Sequence, residues 1–216
     1  MLHSLSVGNQ QEPPPRRKLG WKESDQPLKL VHHKRTELIP TYLLNFFAGP
    51  FSCHPSQKLP KLTKQSTSSP KYNLSIYFRK SVRPLLKNHL DDILKISETA
   101  LGFYEEFFDC EYKFHKLDSV FCPEYWFEAM EGPAAIAYSE NLLPKPESGK
   151  TELDIGRVAI VVFHEIAHMW FGNVVTMEWW DGLWLNEAFV ELISHIALSS
   201  CLKKLEGIFE EDFDPW

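Results

Sequence analysis

Apolar residues along this chain change their spacing from one stretch to the next, and each spacing predicts a different element. In Lys71–Arg79 they fall at alternate positions, Tyr72, Leu74, Ile76 and Phe78, which is the period of a strand with one buried face. From Pro84 to Phe108 the interval lengthens to three and four. Leu90, Ile93, Leu94, Ile96, Leu101 and Tyr104 then share one stripe, and the spacing predicts an amphipathic helix with that stripe in the core. Leu117–Phe121 and Ala134–Tyr138 are short apolar runs that predict strands. Arg157–Phe171 is apolar almost all round and reads as a buried helix, with Asp154 placed to cap it and Gly172 to stop it. Leu185–Lys203 predicts a further helix with Phe189, Leu192, Ile193, Ile196 and Leu198 inward.

The front of the chain lacks such order. Residues 1–27 are polar and carry Pro13-Pro14-Pro15, the composition of a poorly ordered arm. Leu28–His32 and Thr41–Phe47 are short β-prone runs, closed by Gly49-Pro50, and the Ser, Lys, Pro and Thr of residues 52–70 read as a linker. No internal repeat is visible.

Composition narrows the class of protein. The 216 residues are 44% hydrophobic, enough to build a substantial core. A net charge of −6 argues against nucleic acid as a partner, since that surface needs a basic face. Cys53, Cys110, Cys122 and Cys201 are far apart without Cys-x-x-Cys spacing, so free thiols are expected. No apolar run approaches the ~20 residues that span a bilayer, so no transmembrane segment is expected. Met1–Gln10 lacks the cationic and apolar regions of a signal peptide, which makes a cytoplasmic location the expectation. The sequon Asn73-Leu74-Ser75 would matter only in a secreted chain.

The chemistry is concentrated in His164-Glu165-Ile166-Ala167-His168, inside the predicted buried helix. Two His four residues apart lie ~40° apart around a helix and ~6 Å along it, so both imidazoles reach one ion. Nitrogen ligands in a tetrahedral array suit zinc, and Glu165 beside them can take a proton from a metal-activated water. A buried helix also accommodates neutral, hydrogen-bonded His. Here, though, two imidazoles and a carboxylate cluster among apolar residues, where uncompensated polar groups cost several kcal/mol. A catalytic zinc needs a third protein ligand and an open position. Glu187, Glu191 and His195 follow at four-residue steps on one face of the next helix, and spacing alone does not choose among them. Glu191 would also suit an acceptor that orients an imidazole.

The run His164-Glu165-Ile166-Ala167-His168-Met169-Trp170-Phe171-Gly172-Asn173, then Val175-Thr176-Met177, Trp179-Trp180 and Trp184-Leu185-Asn186-Glu187, resembles the zinc aminopeptidases of the gluzincin group, aminopeptidase N type. The resemblance implies one Zn²⁺ per chain, held by His164, His168 and Glu187, with Glu165 as general base. Upstream, Val120-Phe121-Cys122-Pro123-Glu124-Tyr125 and Glu128-Ala129-Met130-Glu131-Gly132-Pro133 are similar to the approach to that family's Gly-Ala-Met-Glu-Asn exopeptidase motif. By that match Glu131 binds the free α-amino group of a peptide substrate, and Ala129 and Met130 line the first side-chain pocket. Thr41-Tyr42-Leu43-Leu44 and Phe46-Phe47-Ala48-Gly49 resemble the last strands of the family's N-terminal β domain.

The implied fold class is α+β, a partial thermolysin-like zinc metallopeptidase core preceded by the end of an N-terminal β domain. The expected layout is an arm over residues 1–27, a β-domain remnant over 28–58 and the partial catalytic domain over 59–216. Three departures stand out: Glu128 where the family has Gly, Gly132 where it has Asn, and Gly182 where an Asp is usual. Family members are several times longer, and their transition-state Tyr follows the ligand Glu; here no Tyr follows Tyr138, so a fragment is expected. The leading function is thus a zinc-dependent aminopeptidase that removes the N-terminal residue of peptides. Two alternatives are a thermolysin-type zinc endopeptidase, which lacks an amine anchor, and an inactive zinc- or peptide-binding fragment.

Overall fold

A computed structural model describes residues 38–56, 72–86, 89–143, 152–209 and 213–216. Among the described residues five strands form one sheet: β1 (Phe51–Pro55), β2 (Leu74–Arg79), β3 (Leu117–Cys122), β4 (Ala129–Met130) and β5 (Ala135–Ser139), in the order β1-β2-β3-β5-β4. β2, β3 and β5 run parallel, while β1 and β4 flank them antiparallel. A parallel step needs a long crossover, and α1 (Leu90–Phe107) supplies it between β2 and β3. The period-two pattern of β2 buries Leu74, Ile76 and Phe78, whereas the central β3 is buried on both faces from Leu117 to Phe121.

Two further helices complete the core. α2 (Glu152–Ala167) packs against both α1 and α3 (Leu183–Cys201), so it is buried on nearly every side. This is the physical reason for its continuous apolar run. Beyond its end, an aromatic cluster pins the chain. Trp170 lies 5.8 Å from Phe108, 6.0 Å from Tyr104 and 5.8 Å from Tyr112 between ring centres, and its Nε1–H donates to the Cys110 carbonyl at 2.8 Å. The fully buried Tyr104 hydroxyl donates to the Phe163 carbonyl at 3.0 Å, joining α1 to the turn of α2 that carries His164. Aromatic pairs of this kind add roughly 0.5–1.5 kcal/mol each beyond the area they bury.

Several sequence expectations are corrected. The helix begins at Leu90, not Pro84, because a 3₁₀ segment, Lys80–Leu85, precedes it; proline lacks the N–H of a regular ladder and constrains Arg83 before it. α2 begins at Glu152, so Asp154 lies inside its first turn and is not its cap. It also ends at Ala167 rather than Phe171, leaving His168 in the turn that follows. Among the described residues Thr41–Phe47 is not a continuous strand: Thr41–Leu43 is a 3₁₀ turn with Leu43 fully buried, and Phe46, exposed, makes an isolated bridge. Phe51–Pro55, at the start of the expected linker, forms β1 against β2. In α3 the buried face is Asn186, Val190, Ile193, Ser194, Ala197, Leu198 and Cys201, while Leu192 and Ile196 face outward. Apolar residues run round this helix, so periodicity alone points to no single face.

The four cysteines are free thiols. No helix among the described residues is long and apolar enough to cross a membrane. The arm over 1–27, the run Leu28–His32 and most of the expected linker lie outside the described residues.

Candidate metal centre and substrate cleft

The last turn of α2 and the first turn of α3 face each other, and the site forms at that seam. The four-residue step brings His164 Nε2 and His168 Nε2 to 3.2 Å. Glu187, one turn into α3, places Oε2 at 3.4 Å from the first and 3.5 Å from the second. A tetrahedral zinc with ligand distances near 2.0–2.1 Å requires its ligand atoms to be about 3.3–3.4 Å apart. The three observed separations match those edges, so the donor set fits the ion by size as well as by type. Among the described residues this is the one group of three such donors close enough to share a metal.

The outer nitrogens hold the rings in place. His164 Nδ1 meets Glu191 Oε2 at 2.9 Å, and His168 Nδ1 meets the Phe171 carbonyl at 3.1 Å. An Nδ1–H donated to each acceptor leaves both Nε2 lone pairs directed at the shared centre. Close beside it, Gly172 has φ +128°, and a Cβ there would come 3.0 Å from Asn186 Oδ1 and 3.1 Å from His168 Nδ1. Glycine is required at that position both by backbone conformation and by the closeness of the ring. Burial resists charging of both imidazoles, but pairing with Glu187 outweighs it and raises their proton affinity; the same pairing holds the Glu187 carboxyl far below the usual range.

Glu165 is 7% exposed and its Oε2 has no partner among the described residues; burial pushes its pKa well above the carboxylate range, His164 opposes this, and Glu131 and Glu187 add to it. Glu131, 6% exposed, sits at the end of β4. Its carbonyl accepts from Asn173 Nδ2 at 2.8 Å, and the Asn173 backbone N–H donates to the His168 carbonyl at 3.0 Å. One buried Asn therefore links the turn carrying Glu131 to the turn carrying a metal-site imidazole. Ala129 and Met130 form the short strand leading into that turn, paired with Tyr138 and Ala137. A cleft of about 510 Å³ opens beside them, bordered by Phe127, Ala129, His164, Glu165 and Glu191.

The structure brings together His164, His168, Glu187, Glu165 and Glu131. His195 is not in the triad: its Nδ1–H donates to the Pro215 carbonyl at 2.7 Å and its ring stacks on Trp216. Glu128, one of the sequence departures, pairs with Arg157 at the rim of the cleft. Sequence reasoning gave no role to Asn173, although it stands in the motif. It also missed Tyr42, whose buried hydroxyl has no partner among the described residues and whose pKa is pushed up to about 12 by burial, with Glu131 and Glu187 adding to the rise. No local pattern marks Tyr42, because its approach depends on tertiary packing.

Two histidines one helical turn apart, a carboxylate from the next helix and a buried Glu between them define the donor set of a metallopeptidase-type centre. Residues 93–213, more than half of the chain, match the Peptidase family M1 domain, and the chain belongs to that family. It is 34% identical over 174 residues to Aminopeptidase M1-C of Oryza sativa subsp. japonica, covering 81% of this chain and 18% of that protein. It is 43% identical over 106 residues to Leucyl aminopeptidase of Saccharolobus solfataricus, covering 49% and 13% respectively. Against Glutamyl aminopeptidase of Bos taurus the identity is 38% over 127 residues, covering 58% and 13%. The chain spans less than a fifth of the length of these curated relatives.

Proposed function

We propose that the chain carries the metal- and substrate-binding core of a zinc aminopeptidase, within a thermolysin-like catalytic domain. The observation that carries this reading is Glu131: a carboxylate 6% exposed, on a turn tied through Asn173 to the helix end bearing His168. A buried anion at a set distance from a metal centre is what recognition of a terminal ammonium requires, and an endopeptidase has no use for it. The proposed substrates are peptides with a free N-terminus, and Ala129 and Met130 would line the pocket for the first side chain.

His164, His168 and Glu187 would hold one Zn²⁺, which as a Lewis acid would polarise the scissile carbonyl and acidify water. Glu131 pairs with the substrate ammonium and places the first peptide bond over the triad. Glu165, buried and without a partner at Oε2 among the described residues, takes the proton from the attacking water and delivers it to the departing amine. Glu191 and the Phe171 carbonyl hold the two imidazoles in the tautomer that leaves Nε2 free to bind.

The test is zinc content and hydrolysis of alanyl- and leucyl-amide reporters on one purified sample, with Glu165→Gln and Glu131→Gln alongside. Stoichiometric zinc with Glu165-dependent turnover, and a preference for free N-termini that Glu131→Gln removes, is the expected result. Turnover that ignores Glu131→Gln would favour an endopeptidase, and zinc without turnover a non-catalytic fragment. Failure to bind zinc would overturn the reading.

A further inference from the structure

We infer that Asn45 is a positioning residue for the turn that carries Glu131, its carboxamide taking the place of the side chain that Gly132 lacks. This rests on the reading of Glu131 as the amine anchor, and goes beyond it by assigning a second segment to that site.

The turn from Met130 to Ala135 is tight. Gly132 N–H donates to the Met130 carbonyl at 2.9 Å, Ala135 N–H donates to the Gly132 carbonyl at 3.0 Å, and Ala134 sits at φ 62°. A Cβ added at Gly132 would lie 1.5 Å from Asn45 Nδ2, 2.8 Å from Asn45 Cγ and 2.5 Å from the Ala135 carbonyl oxygen. The Asn45 carboxamide therefore fills the space directly against the glycine, and its Nδ2–H donates to the Ala135 carbonyl at 3.2 Å. Two carboxamides then brace the turn: Asn173 Nδ2–H donates to the Glu131 carbonyl, and Asn45 Nδ2–H donates to the Ala135 carbonyl at the turn's end.

Asn45 does not swing freely. The 3₁₀ turn before it buries Leu43 completely, and the Tyr42 ring packs 5.4 Å from Trp180. The motif this segment resembles ends on Asn where this chain has Gly132. The structure shows an Asn side chain at that spot all the same, delivered by a residue distant in sequence. The two residues require each other: any side chain at 132 collides with Asn45, and loss of the Asn45 side chain leaves the turn with a void and an unpaired carbonyl next to Glu131.

The experiment uses the zinc-loaded chain and measures, by calorimetry, the affinities of leucine hydroxamate and N-acetyl-leucine hydroxamate. Their ratio reports recognition of the free amine, which a purely structural role would not move. Asn45→Leu keeps the volume and removes the donor, Asn45→Ala removes both, and Asn45→Ala with Gly132→Asn exchanges the two positions. Zinc stoichiometry is measured for each. The expected result is a fall of about tenfold in the free-amine preference for Asn45→Leu and Asn45→Ala with zinc retained, the size of one lost hydrogen bond's ordering effect. The exchange should recover part of it, limited by the Ala135 carbonyl. A preference unchanged within about twofold in both single variants overturns the inference alone. Loss of zinc in Asn45→Leu also overturns it, since the residue would then support the fold at large. A wild-type chain that binds zinc but shows no free-amine preference instead removes the amine-anchor reading on which the inference stands.

Discussion

The candidate metal centre and the turn proposed to anchor the substrate amine lie side by side but are built in opposite ways. His164 and His168 are neighbours because a helix makes them so, and Glu187 follows at the start of the next helix. The turn carrying Glu131 has no such local logic: β4 is two residues long, and the Glu131 and Ala135 carbonyls accept from the carboxamides of Asn173 and Asn45, which come from different parts of the chain. Helix periodicity sets the two imidazoles and the packing of α3 on α2 adds Glu187, whereas the turn carrying Glu131 rests on long-range contacts throughout.

The sharpest separation of the two regions comes from His168→Ala and Glu165→Gln. The first should abolish stoichiometric zinc, since two donors cannot close the site; the second should keep zinc while any turnover falls about 10²–10⁴-fold. Metal analysis and reporter hydrolysis on the same samples check both. Next in size is Trp170→Ala, which empties the aromatic cluster behind His168 and should cost roughly 3–5 kcal/mol in denaturant unfolding. If the metal region were self-sufficient, zinc affinity would survive that loss. Glu191→Ala should weaken zinc binding about 10–100-fold by releasing His164 Nδ1, and competition with a chelator measures it. An unchanged affinity would mean that the contact does not orient the ring.

pH distinguishes the metal-free from the loaded centre. In the metal-free chain, the raised proton affinity of His164 and His168 stabilises the fold below the ordinary imidazole value of 6.5 and is lost as pH rises through their higher folded values. The depressed Glu187 carboxyl stabilises it above the ordinary 4.5, and that contribution is lost as pH falls through its lower folded value. The triad's own contribution therefore peaks between about 4.5 and 6.5 without metal. With zinc the trend over neutral pH reverses, because ligands must shed protons to bind the ion. Thermal melts across pH with and without chelator check this. The smallest effect is expected from Tyr104→Phe, which removes one buried hydrogen bond to Phe163 and should cost roughly 1 kcal/mol with zinc binding intact. A large loss of zinc there would show that α1 directly controls the metal helix.

The strand at Leu74–Arg79 and the helix at Leu90–Phe107 were legible because each has one buried face and one wet one, so burial leaves its period in the residues. α3 was legible as a helix but not in its orientation, since apolar residues surround it and Leu192 and Ile196 lie outward. The 3₁₀ turn at Thr41–Leu43 was hidden because a short β-prone composition suits either conformation, and contacts with the rest of the protein decide between them.

By itself, then, the sequence determined the spacing of His164 and His168 and the burial of the helix that carries them, both through periodicities held within a few residues. The family was legible in the motif run from His164 to Glu187. Which way Glu191 acts, how Asn173 joins Glu131 to His168, and why Gly132 has no side chain were decided only by the tertiary structure. These depend on atoms brought within hydrogen-bond reach by sheet and helix packing, and separation along the chain records none of those distances.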